Sequence, residues 1–379
     1  MKCRPRAAAW CVKCGKDCCM GTTDFHRAGS PCTDHSAMGL NRGLNGPNAK
    51  IFWTWVALRR RWRDRIILHE NVPSFGEAEL NELMSDLYII IRDIINPRDM
   101  GWPTTRNRQI CLMILKCFIH PALEGCTPCL GGIDHHAAQQ VDFCNTVRQI
   151  FYRSFSFTFH EFMVATPEEQ DEMKTWMRNR KAVKERHSGN DEFKDDRDDP
   201  NNWLAWLTVK ERQRQIEYQK RWPNEVSDLM QDPVKRSSHS TAGVLHCLIR
   251  GMGVNWVPGA GRPLIPSELW TAMGFSIDHF HQLQARARNQ FSRGTSPTEG
   301  RTISSQMAAI GNTMHINVVG ACCLFCVIKF PSLGTATGTT LTSARRVRRS
   351  RPEEPADVAN ADDAFAALFR TVRRRMSSQ

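Results

Sequence analysis

Apolar residues along this chain keep two different periods, and the change between them marks out the elements. Ile66-Ile67-Leu68 is a short continuous apolar run, as in a buried parallel strand, and it leads into His69-Glu70-Asn71 at the strand's carboxyl end. From Glu79 to Ile95 the apolar residues Leu80, Leu83, Met84, Leu87 and Ile91 fall at helical spacing, which predicts a helix there. Ile110 to Ile119 predicts a second strand. Strand, helix, strand in this order predicts an open α/β sheet, with ligand sites at the carboxyl ends of its strands.

Beyond residue 120 the pattern breaks up. Phe151 to Phe162 is rich in aromatics, Glu168 to Asp199 is densely charged, and Trp203, Trp206 and Trp222 come after. These features predict an inserted region with its own small core, to which most of its Trp and Phe residues belong. Residues 262–330 return to an ordered pattern, and residues 334–344 read as a Gly/Thr/Ser/Ala-rich linker. In the tail, Phe365, Leu368, Phe369, Val372 and Met376 predict a helix that is acidic at its start and basic at its end. The boundaries read this way are a cysteine-rich irregular start (1–28), a first α/β segment (29–120), a variable region (121–255), a second ordered segment (256–330) and a linker with basic tail (331–379).

Composition narrows the classes. Of 379 residues, 41% are hydrophobic and 24% charged, a globular balance. No run reaches the ~18 apolar residues needed to span a bilayer, and the N-terminal residues lack an apolar signal region. An intracellular protein without membrane association is therefore expected, nuclear if the source is eukaryotic. The net charge of +12 favours polyanionic partners, with arginine clusters at 59–65 and 345–351. Fifteen cysteines in such a chain point to metal sites, a reactive thiol or buried thiols rather than disulfides. Cys11, Cys14, Cys18 and Cys19, and Cys126, Cys129, His135 or His136 and Cys144, have partial zinc spacing, but neither set has a second well-spaced pair, so no metal is assigned. Cys322, Cys323 and Cys326 sit in an apolar helix-like run and read as packing residues.

The candidate chemistry lies in a series of short segments. Gly29-Ser30-Pro31-Cys32-Thr33-Asp34-His35-Ser36 comes first, then Gly46-Pro47-Asn48-Ala49-Lys50-Ile51-Phe52, then Glu70-Asn71-Val72. Gly101-Trp102-Pro103-Thr104-Thr105-Arg106-Asn107-Arg108 is next. After the variable region come Arg262-Pro263-Leu264-Ile265-Pro266-Ser267-Glu268, Met273-Gly274-Phe275 and Gly311-Asn312-Thr313. In order and spacing this series resembles the cytosine-carbon-5 DNA methyltransferases over roughly residues 24–325. Their shared segments are a Pro-Cys loop, a Glu-Asn-Val strand end, a G-x-P-Q-x-R-x-R segment, a variable recognition region, an R-x-L-T-P-x-E segment and a G-N-x segment.

The resemblance implies a Rossmann-like α/β fold for a methyltransferase dependent on S-adenosylmethionine, with an inserted target-recognition region. It implies transfer of a methyl group to carbon 5 of cytosine in DNA, on a base flipped out of the duplex. Cys32 would be the nucleophile that adds to carbon 6, since a thiolate is the softest side-chain nucleophile. Glu70 would act at ring nitrogen 3 as a carboxyl held partly protonated by burial. Arg106 and Arg108 would hold the cytosine and support the nucleophile loop. Pro31, Ser36, Asn71 and Val72 would bind substrate or fix that loop, and Asn312 would touch the cofactor. The sequence departs from the family at Thr104, where Gln is usual, and at His35. It also lacks, before Cys32 and after Asn312, the family's glycine-rich cofactor turn, so an N-terminally truncated fold is expected, with a second chain as one source of the missing half. The alternative readings are a transfer RNA cytosine-5 methyltransferase and an inactive DNA-binding subunit.

Overall fold

The computed structural model describes residues 8–11, 15–19, 21–36, 39, 41–116, 143–154, 158–188, 202–249, 251–276 and 303–329. The chain divides into two units, residues 1–95, 108–150 and 321–379 in the first and residues 96–107 and 151–320 in the second.

The first unit is built on a four-stranded sheet of β3 (Phe25–Gly29), β4 (Ile66–Asn71), β5 (Tyr88–Ile95) and β6 (Arg108–Leu115), in the order β3-β4-β6-β5. β3 and β4 are parallel, and β6 runs antiparallel to both β4 and β5. A separate hairpin of β1 (Ala8–Cys11) and β2 (Lys16–Cys19) precedes it. The strand expected at Ile66-Ile67-Leu68 is present, and its residues are fully buried. The Ile110 run belongs to β6, which starts two residues earlier and ends at Leu115; the positions expected to extend it, 117–119, lie outside the described residues.

α1 (Ala49–Trp62) and α2 (Glu77–Met84) cover one face of this sheet. Phe52 and Val56 of α1 and Leu80, Leu83 and Met84 of α2 form one apolar cluster with Ile67, Tyr88, Ile90, Cys111, Met113 and Leu115. Strand side chains alternate between faces, so these odd positions of β4 and β6 and even positions of β5 share the α1 side. The helix expected to run from Glu79 to Ile95 is corrected here: α2 stops at Met84, and Tyr88–Ile95 is a strand. Leu87 and Ile91 fit a helical period by coincidence, and the run Ile89-Ile90-Ile91 is β-branched, which favours the pleated alternative. In the first unit a further helix, α3, covers residues 143–151.

The second unit carries α4 (Pro167–Ser188), α5 (Val209–Arg221), α6 (Pro266–Ala272) and α7 (Ile303–Asn312). A small antiparallel sheet joins β7 (Ser227–Asp228), β8 (Asn255–Val257) and β9 (Arg262–Pro263). Phe159, Phe162, Trp203 and Trp206 are buried in its core, the role expected for most aromatics of this region. Trp222 is half-buried and stacks on His239 at 4.0 Å. α8 (Ile316–Lys329) comes last in the chain, its residues from 321 onward belonging to the first unit; its Cys322 and Cys326 are buried and Cys323 half-buried, in keeping with packing residues. Among the described residues no single helix is long and apolar enough to cross a membrane. The linker and tail helix expected beyond residue 330 lie outside the described residues.

The arginine cluster at 59–65 is largely occupied within the fold. Arg59 pairs with buried Asp64, Arg60 with Asp86 at 2.6 Å and Arg65 with Asp24 at 3.0 Å. Three of the five arginines are thus paired within the fold, Arg59 and Arg60 from α1 and Arg65 just beyond it.

Candidate active site

The segments that carry the candidate chemistry begin at the carboxyl ends of β3 and β4. The parallel register sets Gly29 opposite Glu70, so the chain from Ser30 to Cys32 leaves the sheet beside the end of β4. Cys32 is half-buried, a free thiol, and its side chain packs against the apolar cluster on the α1 side. Its carbonyl accepts hydrogen bonds from the N–H groups of His35 (2.9 Å) and Ser36 (2.8 Å), so a tight turn begins directly. Ser36 serves this turn through its backbone, and its carbonyl accepts from Gly39 N–H at 2.8 Å. Pro31 is half-buried immediately before Cys32.

Asp34 ties the loop to α1. Its buried carboxylate accepts from Asn48 N–H at 2.9 Å, at the positive end of the helix. This contact explains Gly46: a Cβ there would lie 2.1 Å from the Asp34 carboxylate. Two segments that read as separate motifs, at 29–36 and 46–52, are therefore one unit. His35 packs at a tilt against Phe75 with ring centroids 4.5 Å apart, and its carbonyl accepts from the Ser74 hydroxyl. Burial lowers the His35 pKa, opposed by the nearby carboxylates of Asp34 and Glu79.

Asn71 holds the start of the loop from below. Its amide Nδ2 donates to the Ser30 hydroxyl oxygen (2.9 Å) and to the Ser30 carbonyl (3.2 Å), while its Oδ1 accepts from Val72 N–H at 2.9 Å. Val72, a buried residue, also accepts from Phe75 N–H at 3.0 Å, turning the chain toward α2. His69 belongs to the same group, although its sequence position gave it no role. It is completely buried among Phe52, Trp55 and Phe75, and its Nε2 lies 2.8 Å from Ser30 Oγ. Burial drives its pKa down to about 3, with His26 and His35 adding to the effect, so the ring is neutral.

Glu70 leaves β4 on the face opposite His69 and Asn71, as strand alternation requires. There Arg108 meets it: Arg108 Nε lies 2.9 Å from Glu70 Oε1, and both side chains are close to buried. Ile110 is the direct cross-strand neighbour of Glu70, so Arg108 reaches it along the diagonal. The carboxyl therefore faces a guanidinium rather than an apolar pocket.

Arg106 behaves differently from Arg108. It is buried, and its guanidinium donates to the carbonyls of Leu248 (2.8 Å), Gly311 (3.3 Å) and Thr313 (2.7 Å). Its N–H donates to Asn96 Oδ1 at 3.2 Å. All these partners lie in the second unit, as does Arg106 itself. The expected cytosine-holding role is corrected for this residue: its donors are committed to backbone carbonyls, and it is a structural anchor. Thr104 is equally internal, donating to Ala272 carbonyl at 2.9 Å. Asn312 is exposed at the end of α7, and its two chain neighbours supply carbonyls to Arg106.

The structure thus gathers Ser30, Cys32, Asn71 and Val72 on one side of a sheet rim and Glu70 with Arg108 on the other. The described residues do not fit S-adenosylmethionine. Among them no glycine-rich turn joins a parallel strand's carboxyl end to a helix N-terminus; β3 runs into the Cys32 loop and β4 into residues 72–76 before α2. Among the described residues no three His, Cys, Asp or Glu side chains converge as a metal site. Cys14 and the second cysteine set, apart from Cys144, lie outside them, and Cys144 Sγ donates to Arg92 carbonyl at 3.7 Å.

Comparison with known proteins adds a family. A family model described as C-5 cytosine-specific DNA methylase matches residues 16–309. The type II methyltransferase M2.ScrFI of Lactococcus lactis subsp. cremoris is 28% identical over 104 residues, a match spanning 24% of this chain and 29% of that relative. Among solved structures, the S. pombe Dnmt2 methyltransferase aligns with a TM-score of 0.44 at 11% identity, over 81% of this chain and 78% of the other. The Entamoeba histolytica methyltransferase EhMeth aligns with a TM-score of 0.40 at 15% identity, over 81% and 77%.

Proposed function

Because the chain belongs to the C-5 cytosine-specific DNA methylase family, a group of α/β methyltransferases with a Rossmann-like fold, we propose that it acts on carbon 5 of cytosine in DNA through Cys32. The observation that carries this reading is the shared rim: Gly29, which opens the Cys32 loop, is in register with Glu70, which is paired to Arg108. A flipped cytosine at the ends of β3 and β4 would meet the thiolate at carbon 6 and the carboxyl with its arginine at ring nitrogen 3. Addition of sulfur forms one C–S bond and moves the ring electron pair toward carbon 5, leaving negative charge to be balanced at nitrogen 3. The Glu70–Arg108 pair stands ready for that charge, Glu70 sharing a proton or hydrogen bond and Arg108 supplying a fixed cation. Once that electron pair has bonded carbon 5 to a methyl group, loss of the proton from carbon 5 returns a pair to the ring and expels the thiolate, which breaks the C–S bond and frees the product.

S-adenosylmethionine is the methyl donor of this reading, and none of the described residues is assigned to it. A second chain carrying the glycine-rich half completes the site in this proposal. The feature that supports it is β3, which among the described residues is hydrogen-bonded only to β4 and offers a parallel edge. The variable region, residues 121–255, is assigned target recognition.

The test is covalent trapping on duplex DNA containing 5-fluorocytosine, with S-adenosylmethionine, alone and with the donor-binding half of a family member added. Fluorine blocks the final loss from carbon 5, so Cys32 is expected to stay attached to the DNA. An adduct that persists in Cys32→Ser overturns the assignment. Duplex DNA bound without any adduct under either condition identifies a binding subunit, and an adduct on transfer RNA instead of DNA identifies the RNA-directed branch.

A further inference from the structure

The hydrogen bonds under Ser30 can be given a direction. Val72 N–H donates to Asn71 Oδ1, which fixes the amide so that Nδ2 faces Ser30 and donates to its hydroxyl oxygen. On the other side stands His69, whose Nδ1 is buried and, among the described residues, without a hydrogen-bond partner. An orphaned N–H is costlier and rarer in protein interiors than an orphaned acceptor. The single proton of the neutral ring therefore sits on Nε2 and points at Ser30 Oγ, 2.8 Å away. Two donors then fill both lone pairs of one hydroxyl, two residues before Cys32.

We propose that His69 is a positioning residue: with Asn71 it clamps Ser30 from two directions and so holds the nucleophile loop in the one arrangement that presents Cys32 to a base. This deepens the proposed function and rests on Cys32 as its nucleophile. The clamp differs from an ordinary packing contact because it is polar, directional and aimed at the loop alone. The apolar ring faces of His69 are already satisfied by Phe52, Trp55 and Phe75.

Three variants test it: Ser30→Ala removes the clamped hydroxyl, His69→Leu removes one jaw, and His69→Gln restores an amide N–H near the Nε2 position. Two rates are read on the full chain, with the donor-binding half added for the second. The first is iodoacetamide alkylation of Cys32, followed by peptide mass spectrometry beside the buried Cys111 and Cys326. The second is trapping on 5-fluorocytosine DNA. A freed loop exposes a half-buried thiol, so Ser30→Ala and His69→Leu are expected to speed alkylation of Cys32 about tenfold while Cys111 and Cys326 stay protected. Misplacement of the thiol is expected to slow trapping by about 10- to 100-fold. His69→Gln is expected to bring both rates back to within about threefold of the unsubstituted chain.

Unchanged Cys32 alkylation in Ser30→Ala overturns the proposal, as does a folded His69→Gln that behaves like His69→Leu. Should His69→Leu expose Cys111 and Cys326 through unfolding, Ser30→Ala decides alone. If the unsubstituted chain forms no DNA adduct while alkylation keeps the expected order, the clamp stands and the cytosine chemistry falls.

Discussion

Arg106 and Arg108 are two residues apart in one short segment, yet they belong to different units and do different work. Arg106 spends its guanidinium on the carbonyls of residues 248, 311 and 313, a buried arrangement of charge against backbone dipoles. Arg108 opens β6 and meets one carboxylate at the rim of the four-stranded sheet. The lesson concerns what an arginine in a motif means. Geometry around the guanidinium, and in particular whether it donates to backbone carbonyls or meets a carboxylate, separates the two.

The contrast can be broken most strongly at Arg106. Arg106→Met leaves three carbonyls without their donor and is expected to cost about 3 kcal/mol or more, measured by urea denaturation. Arg108→Met is expected to cost less than about 2 kcal/mol in the same measurement but to abolish adduct formation on 5-fluorocytosine DNA. Equal losses of stability would erase the distinction.

Acid titration sharpens the comparison next, because burial keeps histidines neutral in both units: His69 in the first, and His315 together with His246, lowered to about 4, in the second. His69 in the first and His315 in the second both have pKa values lowered to about 3, by burial above all. The unfolded chain takes up these protons near pH 6.5 and the folded chain does not. Stability is therefore complete above pH 6.5 and lost as pH falls toward 3, by about 1.4 kcal/mol per pH unit for each histidine. His315→Gln is expected to reduce the loss between pH 6.5 and 5.5 by about that amount, read from denaturation midpoints; an unchanged slope refutes its neutral state.

Smaller effects are expected at the loop and on the surface. Gly46→Ala forces a Cβ against Asp34 and is expected to cost about 1–3 kcal/mol, with α1 and the Cys32 loop loosening together in hydrogen exchange. Arg60→Ala breaks an ion pair whose Asp86 partner is exposed, and is expected to change stability by about 1 kcal/mol or less.

Much of the rim was legible from sequence because short polar segments there interrupt strongly apolar strands. Ile66-Ile67-Leu68 announces β4, and the polar His69-Glu70-Asn71 directly after it must stand at the strand's end. The helix–strand change at residue 85 was hidden, since Leu80 to Ile91 keeps an apolar spacing compatible with a helix throughout and only the β-branched run argues otherwise. Arg106 was misread because its partners are carbonyls, which every residue has and no sequence displays. His69 was passed over since a histidine beside Glu-Asn-Val gives no sign of the serine 39 positions earlier that it touches. Asp34 could have been found: a glycine at 46, where a bulkier residue would collide with it, hints at a close neighbour, though not at which one.

The cross-strand partnership of Ile95 with Arg108 has a further consequence. The segment between them, residues 96–107, departs from and rejoins the sheet at facing positions, like a handle attached at both ends to one point. Whatever the length or content of that handle, the ladder alone decides where Arg108 stands. Sequence changes beyond it, however drastic, leave the guanidinium beside Glu70 untouched.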